Sequence, residues 1–64
     1  TGEINPIGGV HEKLKAAIQC GYNEIILSEE NRKDVEYSIY GDDERIKIHF
    51  VKTFNQVIDI VFKD

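Results

Sequence analysis

The chain has 64 residues, a formal net charge of −4 and a single cysteine. A chain of this size buries only about 60% of its unfolded surface, and one cysteine cannot close an internal disulfide, so residues 1–64 read as one piece that leans on other chain segments. The acidic balance argues against a nucleic-acid surface, no apolar run is long enough to span a membrane, and no secretory signal pattern is present.

Residues 1–5 read as a short extended piece, with Asn5 biased away from helix by the proline that follows. Pro6 to Gly9 is a loop, because two adjacent glycines permit backbone angles that side chains forbid. A helix is predicted from about Val10 to Cys20. Val10, Leu14, Ala17 and Ile18 fall at helical spacing and make one apolar stripe, while His11, Glu12, Lys15 and Gln19 occupy the opposite face. Gly21 stands where a helix stops.

Ile25-Ile26-Leu27 is an unbroken apolar run within Glu24–Leu27, which suits a strand covered on both faces in a parallel sheet. Ser28 or Asn31 caps a short helix through about Tyr37, with Asp34 three residues after Asn31; Val35 gives that helix little to bury. Gly41-Asp42-Asp43 forms a turn within Tyr40–Glu44. Arg45 to Val51 alternates, with Ile46, Ile48 and Phe50 on one face and Lys47 and His49 on the other, as a strand does. Thr53 and Gln56 have capping-box spacing. They open a helix to about Phe62 that gathers Phe54, Val57, Ile58, Val61 and Phe62 on one face. The order strand, helix, strand, helix, strand, helix argues for an α/β layered fold.

One lysine differs from the rest. At about 100° per residue, Lys13 falls between Ala17 and Cys20 at the edge of the apolar stripe, whereas Lys15 lies on the polar side. Lys13 is therefore expected to be partly withdrawn from water. Withdrawing an amine from water disfavours its charged form, and a lysine brought toward neutrality can accept a serine proton. The alternative is a boundary lysine that lays its stem on apolar surface and keeps its ammonium solvated. A helix N-terminus also disfavours a cation. Spacing alone leaves both readings open.

Gly8-Gly9 either presents backbone N–H groups to an oxyanion or phosphate or simply makes a tight turn into the helix. It is not a phosphate loop, because Gly-x-x-x-x-Gly-Lys-Ser/Thr is absent. Neither Ser28 nor Ser38 sits in a Gly-x-Ser-x-Gly elbow, and neither reads as a nucleophile. Cys20 is expected to be a core thiol, and His11 and His49 to be solvated. Those three do not have the paired spacing of a zinc site. No metal or cofactor site is expected within these residues.

The run Pro6-Ile7-Gly8-Gly9-Val10-His11-Glu12-Lys13-Leu14-Lys15-Ala16-Ala17 resembles the C-terminal proteolytic domain of the Lon family of ATP-dependent proteases. The resemblance continues through Gly21, Ile25-Ile26-Leu27, Glu30-Asn31-Arg32-Lys33-Asp34, and Ile48-His49-Phe50-Val51 with the final helix. It implies that Lys13 is the family's catalytic lysine, paired with a serine that forms an acyl-enzyme. That serine stands upstream in a Pro-Lys-Asp-Gly-Pro-Ser-Ala-Gly-like segment that these residues lack. Thr1-Gly2-Glu3-Ile4 looks like the family's earlier Met-Thr-Gly-Glu motif but lies too close to the glycine pair. Gly2 aligns instead with a hairpin glycine, and Thr1 is not a candidate active-site threonine. Asn5 stands where the family usually has an apolar residue, and His11 where it often has lysine.

The resemblance further implies the second half of a Lon-type peptidase domain, inactive alone, within a ring-forming, hexameric assembly. ATP and Mg²⁺ would be held by an ATPase domain elsewhere. The partners would be protein substrates, damaged and regulatory, and the part of the protease domain carrying the serine; DNA would be engaged, if at all, through other domains, and no membrane is involved. The compartment would be bacterial cytoplasm or mitochondrial matrix. The competing expectation is a non-catalytic domain of the same fold, such as that of DNA-repair ATPases related to bacterial RecA, used for assembly and DNA engagement. A third is an independent small α/β interaction module.

Overall fold

A computed structural model describes residues 2–63; Thr1, and with it the reading of Thr1 as a non-catalytic threonine, lies outside them. Helix α1 spans Val10–Gln19, strand β1 Glu24–Ser28, a 3-10 turn Glu29–Asn31, helix α2 Arg32–Glu36, strand β2 Lys47–Val51 and helix α3 Phe54–Val61. β1 and β2 pair in parallel, with Glu24 opposite Lys47, Ile26 opposite His49 and Ser28 opposite Val51. The expected α/β class and parallel pairing are what the chain adopts. The extended piece at the N-terminus is smaller than predicted: Glu3 makes one antiparallel bridge to Thr53, and the Ile4 N–H donates to the Lys52 carbonyl.

Each end of α1 has a local cause. Gly9 caps its start at φ 65° and ψ 37°, left-handed angles that a side chain resists. At the other end Gly21 takes φ 83°. Its N–H donates to Ile18 and that of Tyr22 to Ala17, the pair of bonds that closes a Schellman cap. β2 begins at Lys47, two residues later than predicted, because the Ile46 N–H is spent on Asp43 and the ladder opens with Lys47 donating to Asn23.

The core is Val10, Leu14, Leu27 and Val35, with Ile25, Tyr40, Ile48 and Phe50 packed against it. Leu14 is fully buried, so truncating it to alanine would cost about 2–5 kcal/mol. Val35 corrects the reading of α2: it is 6% exposed and belongs to that core, so the short helix is anchored by this one side chain. Helix α3 departs from expectation in the other direction. Its capping box forms as predicted, yet none of its described residues is buried. Val57 and Ile60 are half-covered, while Phe54, Ile58, Val61 and Phe62 are exposed. The periodicity identified an apolar face, but these residues supply cover for only one edge of it.

Candidate functional site

Lys13 is the fourth residue of α1, and its N–H donates to the Gly9 carbonyl at 3.0 Å. The left-handed glycine therefore fixes where the first turn begins and which way Lys13 leaves the helix. The side chain is exposed, as are those of Ala16 and Cys20, and Ala17 is half-buried. This corrects the expectation that Lys13 is partly withdrawn from water, and also the reading of Cys20 as a core thiol, for Cys20 is exposed. The reason is angular. The buried side of α1 is centred on Val10 and Leu14, so Lys13, Ala16 and Cys20 lie on the flank beyond it. That flank carries one long amine among small side chains, and the described residues leave it uncovered.

The loop ahead of α1 is held from across the fold. Asn31 is 1% exposed. Its Oδ1 accepts the Ile7 N–H at 3.0 Å, and its Nδ2 donates to the Ile7 carbonyl at 2.9 Å. Nδ2 donates a second time, to Asp34 Oδ2 at 2.9 Å. The side-chain amide thus offers Ile7 the donor and acceptor that a neighbouring strand would offer. Because it is spent in this way, Asn31 makes no side-chain cap on α2; Ser28 caps the 3-10 turn ahead of it, its Oγ accepting the Glu30 N–H at 3.1 Å. The sequence marks Asn31 only as a possible cap and as part of the family-like run Glu30–Asp34. The one trace of its other role is the Asn31-x-x-Asp34 spacing, which looks the same for both.

His11 is exposed, as expected, while His49 is less solvated than expected. His11 Nδ1 lies 3.0 Å from Ser38 Oγ, and its ring is 5.1 Å from that of Tyr40. Ser38 Oγ also accepts the Tyr40 N–H at 3.1 Å, so this contact ties α1 to the turn after α2. Together with Ile7, Gly8, Gly9 and Tyr37, His11 and Ser38 line an open depression of about 380 Å³. The His49 side chain is 17% exposed and its Nε2 sits 2.7 Å from Glu24 Oε1. That hydrogen bond, opposed by partial desolvation and aided by the charges of His49 and Lys47, holds the Glu24 carboxyl below its usual range. Neither histidine approaches Cys20 in a ligand set: among the described residues no group of three or more His, Cys, Asp or Glu converges as a metal site would.

Comparison with known proteins gives one family. The family model described as Lon protease (S16) C-terminal proteolytic domain matches residues 1–64. The Lon protease of Cytophaga hutchinsonii is 44% identical over 59 residues, 92% of this chain and 7% of that protein. The human mitochondrial Lon protease homologue is 39% identical over 64 residues, covering 100% of this chain and 7% of its own length. The archaeal Lon protease of Thermococcus kodakarensis is 41% identical over 63 residues, 98% of this chain and 10% of its own. The chain therefore spans a tenth or less of the length of these relatives.

Proposed function

The chain belongs to the Lon protease C-terminal proteolytic domain family, and on that footing we propose that it supplies the lysine of a Ser-Lys endopeptidase site, with Lys13 as the base. What carries the proposal is the setting of Lys13: first turn of α1, directly after a left-handed glycine, on a flank of small side chains open to an approaching segment.

The chemistry follows from that setting. A serine on another segment docks against the flank of Lys13, Ala16 and Cys20. As its hydroxyl oxygen attacks the peptide carbonyl, Lys13 Nζ takes the hydroxyl proton. The resulting ammonium returns the proton to the leaving amine as the carbon–nitrogen bond breaks, leaving an acyl-enzyme. Water then hydrolyses the ester, with Lys13 acting again as base. The amine is exposed in this chain, so the desolvation that favours its neutral form has to come from the docking segment itself.

The whole protein, on this reading, is an ATP-dependent protease of damaged and regulatory proteins that works as a ring, a hexamer by the family resemblance. ATP and Mg²⁺ are assigned to segments outside this chain, because its own residues do not fit them: Gly8-Gly9 leads into α1 without the lysine and hydroxyl of a phosphate loop. Bacterial cytoplasm or the mitochondrial matrix is the proposed compartment, in keeping with relatives from bacteria and a human mitochondrial homologue. The family match over the whole chain favours this reading over a RecA-related assembly domain or a free-standing module.

The test is Lys13→Ala in the full-length protein. Peptide cleavage should be abolished and ATP hydrolysis largely retained. Cleavage at the wild-type rate would overturn the assignment.

A further inference from the structure

We propose that Asn31 is a positioning residue for Lys13, fixing through Ile7 the start of the helix from which the amine projects. The inference rests on the reading of Lys13 as the base.

Three observations carry it. Asn31 grips both backbone groups of Ile7 at 3.0 and 2.9 Å from a site that is 1% exposed. The grip lies only two residues before Gly9, whose carbonyl receives the Lys13 N–H. Gly9 offers no side chain and α1 has no side-chain cap bond; the His11–Ser38 contact on the first turn is exposed, so among the described residues Asn31 is the buried anchor of that end. Packing of Val10 and Leu14 resists movement of the helix away from the core. It does less against a shift along the helix axis or a rotation about it, and either would swing a long exposed side chain.

Asp34 completes the device. A primary amide can flip by 180° with little change of shape, and flipping Asn31 would set its oxygen against the Ile7 carbonyl. The bond from Nδ2 to Asp34 Oδ2 holds the amide in the productive orientation. Asp34 is exposed, so it can be altered without opening the core.

The inference predicts a particular kinetic signature. A displacement near 1 Å at a reacting group can cost about 10²-fold in rate, while substrate binding away from the lysine is untouched. In the full-length enzyme, Asn31→Leu, which keeps the branched outline of the side chain and removes the amide's hydrogen bonds, should lower kcat for peptide cleavage by about 10- to 100-fold. KM should stay within about twofold and ATP hydrolysis at its wild-type rate. Should Asn31→Leu fail to fold, the Asp34 pair decides. Asp34→Ala should lower kcat by about three- to tenfold, and Asp34→Asn should restore it, because its amide oxygen still accepts the Nδ2 proton. A purely structural role would not give this rescue with KM unmoved.

Wild-type kcat in folded Asn31→Leu, or in Asp34→Ala, would overturn the inference. So would a loss in Asp34→Ala that Asp34→Asn does not recover. Measuring Lys13→Ala alongside separates the two claims. If Lys13→Ala is inactive and the Asn31 and Asp34 variants are normal, the base assignment stands and only the positioning role falls; if Lys13→Ala cleaves normally, both fall.

Discussion

A Cβ built on Gly41 would lie 2.2 Å from the carbonyl oxygen of Val35. The turn after α2 thus runs so close to the helix backbone that only glycine fits, and the residue it presses on belongs to the core. Gly41→Ala should destabilise the domain by about 1–3 kcal/mol, the usual cost of overpacking. Gly8→Ala should be near neutral, because no atom lies within 4 Å of its would-be Cβ. Paired denaturant melts of the two variants check this contrast.

Gly9 makes a different demand. Its Cβ would have room, with Glu12 Oε1 at 3.7 Å, but its φ is +65°. Gly9→Ala should therefore cost about 1–2 kcal/mol through backbone conformation alone. It should also lower peptide cleavage more than Gly8→Ala does, since Gly9 sets the first turn that bears Lys13. Melting and cleavage assays on the same preparations read both effects.

The α3 capping box predicts a local effect. Thr53 Oγ1 accepts the Gln56 N–H, and Gln56 Oε1 accepts the Thr53 N–H in return. Thr53→Ala should cost about 1 kcal/mol. Amide hydrogen exchange should speed up at Gln56 and in the first turn of α3, and stay unchanged in α1.

The Asp43–Arg45 pair predicts a pH dependence. Arg45 Nε and Nη2 donate to the two Asp43 oxygens at 2.9 and 2.7 Å. Those bonds, with the Arg45 N–H, hold the Asp43 carboxyl down at about 2, against an ordinary value of 3.8. A depressed folded-state value means that the stabilisation is complete above the unfolded value near 3.8 and is lost as pH falls through about 2. Carboxyl carbon shifts should show Asp43 titrating near 2, and Arg45→Gln should move it up toward 3.8.

The elements that could be read from sequence are those with local causes. Gly21 ends α1, Thr53 and Gln56 cap α3, and Ile25-Ile26-Leu27 makes a parallel strand, each within a few residues of its signal. What escaped depends on distant neighbours. Ile7 and Asn31 are 24 positions apart, and no periodicity joins them. The helical wheel set the angle of Lys13 correctly, yet it could not say how wide a part of the apolar stripe other elements would cover. The same gap accounts for Cys20 and for the open face of α3. Val35 completes the core, yet one side chain makes no pattern that a sequence can show.

The central claim is that Lys13 Nζ takes the serine proton, and the most direct measurement is acylation itself. Full-length enzyme in excess over a chromogenic peptide ester would give single-turnover release of the leaving group, which reads the acylation step alone. A general base contributes about 10²- to 10⁴-fold, so Lys13→Ala should slow that release by at least about 10²-fold while ATP hydrolysis continues. Release from Lys13→Ala at the wild-type rate would contradict the account.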